Sequence, residues 1–154
     1  MHIDIAQSHE VYAVLELVEE LLIEVVEQGQ ELPWISREKL HTDIRRHLEA
    51  ESRSRATPGH MVAILAKESN GVAVGVLILT QCFALYAGGE YGVIDELYVR
   101  PEYRGQDIER MLLDEAVAIS QRRGWVRLDI TGPEGSREAS RGDRAARFGR
   151  ALGI

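Results

Sequence analysis

Between Tyr91 and Gly124 the hydrophobic repeat changes from two residues to about 3.6, across a turn carrying Pro101 and Gly105. "YGVIDELYV" reads as a strand. "QDIERMLLDEAVAISQRRG" spaces Ile108, Met111, Leu112, Ala116 and Ile119 along one side of a helix and ends at Gly124, a residue suited to a helix C-terminus. "WVRLDIT" follows as a second strand. A strand, a helix and a strand in that order form a crossover within one sheet.

The preceding residues supply the other layers. "HIDIAQ" alternates Ile3 and Ile5 with polar residues, as a short strand does. Ser8 is placed to cap the next helix, and Glu10 opens its acidic first turn. In "VYAVLELVEELLIEVVEQ", Val11, Val14, Leu15, Val18, Leu21, Leu22 and Val25 fall at helical spacing. "GQELPW" breaks that helix, and Ser36 caps "REKLHTDIRRHLEAESR", where Leu40, Ile44 and Leu48 share a face. "HMVAILAKE" and "GVAVGVLILTQ" are β-rich runs joined by "SNG", a hairpin signal, and "YAGGE" is a second turn. After the last strand come a polar loop and "RAARFGRALG", whose Ala145, Phe148 and Leu152 are spaced for one helical face. The order β-α-α-β-β-β-α-β-α predicts an α+β (mixed α/β) fold: one domain over residues 1–154, its mostly antiparallel sheet flanked by helices.

Charge narrows the range of partners. The net charge is -7 and the pI about 5.3, so without a concentrated basic face the chain is poorly suited to nucleic acid. It would sooner attract cationic small molecules. A single cysteine, Cys82, allows no internal disulfide and implies cytoplasmic residence. Its apolar surroundings, "VLILTQCFALY", predict a buried, inert thiol. The start "MHIDIAQSHE" lacks the features of a signal peptide, and the longest apolar run, "GVAVGVLIL", is too short to cross a membrane. The five histidines show no paired metal-ligand spacing, and Trp34 and Trp125 read as packing residues.

The turn at residues 99–109 is the feature with chemistry. A helix N-terminus leaves backbone N–H groups unpaired and carries a partial positive charge, and glycine lets an anion come close to the backbone. "IDELYVRPEYRGQDIERMLL" resembles the central motif of the GNAT superfamily of N-acetyltransferases: strand, Pro, Arg-Gly-x-Gly-x-Gly (or Ala), then helix. "DRAARFGRALGI" looks like that family's late motif, and the element order is the family's over nearly the whole chain. The resemblance implies a protein that transfers the acetyl group of acetyl-CoA to an amine. It places Leu97, Tyr98 and Val99 along the pantetheine arm, and Arg104, Gly105, Gln106, Asp107, Ile108 and Glu109 at the pyrophosphate. It also implies that this strand splays from its neighbour. Asp95 matches a position where polyamine-type members carry a basic carboxylate, and Glu96 adjoins it, so either is a candidate general base. Strand alternation sends the two to opposite faces.

The departures from the motif are specific. Asp107 and Glu109 stand where the family has its second and third small residues. Gly149 matches the family's acid-donating Tyr, while Tyr98 and Tyr103 are near in sequence but at other positions. The family continues past the late motif with a hairpin, so a short sheet, or a second copy in a homodimer covering its edge, is expected. Glu16, Glu19, Glu20, Glu24 and Glu27 on the first helix either draw in a cationic amine or form a solvated face. Arg137, Arg141, Arg144, Arg147 and Arg150 are suited to the 3′-phosphate of CoA, a partner's acidic helix, or water. Two readings remain: an acetyltransferase acting on a small amine, and a module of the same fold that has lost acyl transfer and binds a ligand or a protein.

Overall fold

Strand-forming and helix-forming segments fall in the expected order over the residues that the computed structural model describes, which are 1–29, 36–53 and 60–130. The strands are β1 (His2–Ile5), β2 (Met61–Lys67), β3 (Ala73–Ala84), β4 (Gly89–Val99) and β5 (Leu128–Ile130). The helices are α1 (Val11–Glu27), α2 (Arg37–Arg53) and α3 (Ile108–Arg123). The strands form one sheet in the order β1-β2-β3-β4-β5, antiparallel except for the parallel pair β4 and β5. The expected C-terminal helix, Gly149, the arginine series from Arg137 and Trp34 lie outside the described residues. Among the described residues no helix is long and apolar enough to cross a membrane.

Local chemistry sets the boundaries. The "SNG" turn closes β2 on β3 with Glu68 N–H donating to Val72 O at 2.9 Å, and Gly71 supplies the required φ of 86°. Ser36 caps α2, its Oγ accepting from Lys39 N–H at 3.3 Å. Ser8 does not cap α1. Residues Ser8–Glu10 form a short 3-10 turn, and Glu10 reaches back to accept the Gln7 N–H at 2.9 Å, so the helix proper starts at Val11.

Each sheet face carries its own core. On one face, Ile108, Leu112, Ala116 and Ile119 of α3 and Trp125 pack against Val62, Ile64, Leu77, Leu79, Ile94 and Val99. On the other, Val11, Val14, Leu15 and Val18 of α1 and Ile44 and Leu48 of α2 cover Ala63, Leu65, Val76, Ile78 and Tyr98. Full burial of one Leu or Ile contributes roughly 1.5–3 kcal/mol, so these two layers hold the sheet rigid beneath whatever is built at its edge. Gly92 leaves room for the Trp125 ring against β4: a Cβ there would overlap ring carbons and come within 2.9 Å of Leu128 Cδ1.

β3 runs beyond the helices. Past Leu79 its residues are no longer buried, and Phe83 is 68% exposed. Cys82 lies in this uncovered stretch and is half-buried, not enclosed as its apolar neighbours suggested.

One irregularity in β4 alters the site. Leu79 pairs with Ile94 but Ile78 pairs with Glu96, so Asp95 is an extra residue, a β-bulge. Ile78 belongs to the α1/α2 face, and its partner Glu96 shares that face. Asp95 also lies there, because its carboxylate accepts the hydroxyl of Thr80, two residues along β3 from Ile78. Strict alternation predicted opposite faces for Asp95 and Glu96, and the inserted residue puts both on one.

Candidate functional site

β4 is held along its full length by β3, and among the described residues β5 pairs with Gly92–Ile94. Among the described residues no strand pairs with Asp95–Val99 on that side. Arg100 N–H donates to Val74 O at 3.0 Å, so at this end the amides of alternate residues turn to β3 and those of Leu97 and Val99 turn to the open side. Leu97 is partly buried against the α3 core, whereas the Tyr98 side chain is buried beneath α1. Among the described residues the Leu97 and Val99 N–H groups thus have no strand partner, and such amides are of the kind that a peptide-like chain can pair with.

The turn that follows is built in steps. Pro101–Tyr103 form a single 3-10 turn, with Tyr103 N–H on Arg100 O at 2.9 Å. Gly105 has φ 79° and open space where a Cβ would sit. Asp107 has φ 62° and ψ 13°, a left-handed conformation rare for a residue other than glycine, and makes no capping bond with its side chain. The shape that glycine would supply is therefore kept with an aspartate in place. Met111 N–H bonds Asp107 O at 3.0 Å, the first helical bond of α3. The N–H groups of Ile108, Glu109 and Arg110 precede it and have no partner within the helix. Ile108 is buried, Gln106 and Asp107 are exposed, and Glu109 is half-buried.

The two arginines of the turn are fixed from behind by α1. Arg100 donates to Glu20 at 2.9 and 3.2 Å and to Glu16 at 3.0 Å. Arg104 donates from Nη2 to Glu24 at 2.6 Å and from Nε to Val99 O at 2.9 Å. Its guanidinium also stacks 5.6 Å from the Tyr98 ring centroid. Glu16, Glu20 and Glu24 are spaced by four residues, so they form one stripe along α1. That stripe is engaged with the turn and is neither a plain solvated face nor free to meet a ligand. Glu19 is paired separately with Arg37. The Tyr98 hydroxyl donates to Glu20 at 3.3 Å, and burial, then the nearby Glu20 carboxylate, raise its pKa. At neutral pH it is a hydrogen-bond donor, poorly suited to protonate a leaving group.

The carboxylates lie just before this turn. Burial first, and the charge of Asp95 second, raise the pKa of Glu96. Among the described residues Glu96 makes no hydrogen bond or ion pair, while Asp95 is anchored to Thr80. Thr80 was not singled out from sequence. It is the lone hydroxyl in the run "VLILTQ", and that isolation was the available signal.

Comparison with known proteins agrees with this geometry. The family profile "Acetyltransferase (GNAT) family" matches residues 26–141. No curated protein matches significantly in sequence. Among solved structures, a ribosomal-protein-alanine N-acetyltransferase from Brucella melitensis biovar Abortus 2308 is similar with a TM-score of 0.63 and 20% identity, over 93% of this chain and 86% of that one. A predicted acetyltransferase from Clostridium acetobutylicum, solved with acetyl-CoA, gives 0.68 and 18% over 88% and 83%. An aminoglycoside acetyltransferase from an uncultured soil metagenomic sample, in complex with sisomicin, gives 0.64 and 16% over 95% and 86%. Likeness at these identities concerns the fold, whereas the family match covers most of the sequence. The chain belongs to the GNAT family of acetyltransferases.

Proposed function

We propose that the protein transfers the acetyl group of acetyl-CoA to the amine of a small, cationic acceptor on the sheet face that carries Asp95 and Glu96. The observation behind this is the bulge at Asp95, which brings two carboxylates onto one face, just before the part of β4 that β5 does not reach among the described residues.

The turn fits the cofactor's chemistry. Gly105 leaves room for a phosphate against the backbone, and the α3 N-terminus offers N–H donors. Leu97 and Val99 offer outward amides to the pantetheine arm. In the reaction the neutral amine attacks the thioester carbonyl, and the tetrahedral adduct collapses to an amide and the CoA thiolate. The amine must lose a proton, and Glu96 accepts it directly or through one water. Its raised pKa makes Glu96 a stronger base than an ordinary carboxylate. Asp95, held by Thr80, lies beside Glu96 on the same face and helps orient the incoming amine. Two of the similar structures are named for acetylating a ribosomal-protein alanine and aminoglycosides, and the net charge of -7 favours a cationic acceptor.

Calorimetry with acetyl-CoA, followed by CoA-thiol release over a panel of amines, tests the reading. Saturable binding and amine-dependent release are expected, with Glu96→Gln lowering kcat about a hundredfold. Absence of acetyl-CoA binding at millimolar ligand overturns the proposal.

A further inference from the structure

We infer that Glu24 of α1 is a positioning residue for the acetyl-CoA turn, acting through Arg104. The inference rests on the reading that this turn binds acetyl-CoA. It concerns a residue 80 positions away in sequence that does not belong to the turn.

Arg104 immediately precedes Gly105, and Asp107 follows two residues after that, both at positive φ. Glycine supplies little restraint of its own, so the path of this segment depends on what anchors its start. Arg104 is anchored three ways: Nε on Val99 O, Nη2 on Glu24, and the guanidinium plane over Tyr98. The bond to Val99 closes a loop around the 3-10 turn and ties the end of β4 to the start of the cradle. Glu24 holds the fork in that pose and is itself braced by Gln28 Nε2, 3.5 Å from Oε1. Arg100 is held in the same way at the other end of the turn by Glu20 and Glu16.

With its charge matched by Glu24, Arg104 contributes mainly by geometry. A partly exposed ion pair adds little to global stability. A backbone cradle fixed before ligand arrives avoids the ordering cost on binding. The signature is therefore lost affinity with an unchanged fold.

Glu24→Ala, Arg104→Ala, the double variant and Glu24→Gln form the test. Calorimetry with acetyl-CoA should show about a five- to tenfold weaker Kd for either alanine variant. The double variant should be no weaker, and Glu24→Gln, which keeps an acceptor oxygen, should recover most of the loss. Thermal midpoints should stay within about 2 °C of wild type. In the ligand-free protein, amide hydrogen exchange at Gly105–Glu109 should be several-fold faster in Glu24→Ala. Unchanged exchange there, or an unchanged or tighter Kd, overturns the inference. A much larger loss in Arg104→Ala than in Glu24→Ala, with a shallower salt dependence, also overturns it, because Arg104 would then be meeting phosphate directly. If wild type binds no acetyl-CoA while exchange still responds to Glu24→Ala, the proposed function fails and the positioning of the turn stands.

Discussion

Asp107 gives the sharpest test of whether the turn meets an anion. It holds a left-handed conformation at the N-terminus of α3, exposed and without a side-chain capping bond. Replacing it by glycine removes about 1 kcal/mol of backbone strain. It also adds about 0.7 kcal/mol of unfolded-state freedom and removes about 0.5 kcal/mol of favourable carboxylate–dipole interaction. These terms nearly cancel, so Asp107→Gly should leave stability within about 0.5 kcal/mol of wild type. Affinity behaves differently. A unit charge ~6 Å from another repels it by about 0.7 kcal/mol at the dielectric of water and about 2.8 kcal/mol at an effective dielectric of 20. The exposed carboxylate lies near the lower value, and two phosphates roughly double it, so the gain is about 1.4 kcal/mol, or tenfold in Kd. Calorimetry with acetyl-CoA at low salt measures it, and the gain should shrink at 0.5 M salt, where the screening length is about 4 Å. Asp107→Asn is the control, since it keeps the side-chain volume, tolerates the left-handed backbone and loses only the charge. It should recover most of the gain. If neither variant changes Kd, the carboxylate does not face the phosphates and the reasoning fails.

Other consequences follow from particular contacts. Gly92→Ala pushes a methyl into the Trp125 ring, so chemical denaturation should show a loss of about 2–3 kcal/mol, partly restored by also shortening Trp125 to Leu. Glu96 has a folded pKa above its unfolded value, so its burial favours the fold below pH 4.5 and opposes it once pH rises through the raised value. Glu96→Gln should accordingly stabilise the protein at neutral pH while lowering kcat, and lost stability there would contradict the assignment. For Glu10, burial raises the pKa, but the hydrogen bonds from Lys67 and the Gln7 N–H together with the Lys67 charge leave the net pKa lowered. Its stabilising effect is full above the unfolded value of 4.5 and is lost as pH falls through the lowered one. Glu10→Gln should cost about 1 kcal/mol at pH 7, and equal melting temperatures at that pH would refute the role.

The helices were legible because their spacing is written in many residues: α1 alone places Val11, Val14, Leu15 and Val18 on one buried face. The β2–β3 turn was legible because "SNG" supplies the glycine that its backbone requires. The bulge at Asp95 was not. "YGVIDELYV" contains no Gly or Pro where the extra residue sits, and the register is set by the partner strand, 15 residues away at Thr80. Reading β4 as strictly alternating therefore separated two carboxylates that share a face. The grip of α1 on the turn was hidden for a related reason. A row of glutamates at helical spacing looks the same whether it meets water or arginines 80 residues on, and only the packing of α1 over β4 decides.

Among the described residues β5 pairs with Gly92–Ile94, which gives β4 a double character. One end is a central strand, and at the other the outward N–H groups of Leu97 and Val99 have no strand partner among the described residues, the kind of rim to which another chain can add itself. Natural proteins guard such rims with charge. Asp95 and Glu96 crowd one side of it, and the Arg104 side chain occupies the Val99 carbonyl. These charged residues thereby act as gatekeepers against strand addition, and stripping their charges should make the ligand-free protein more prone to self-association than to unfolding.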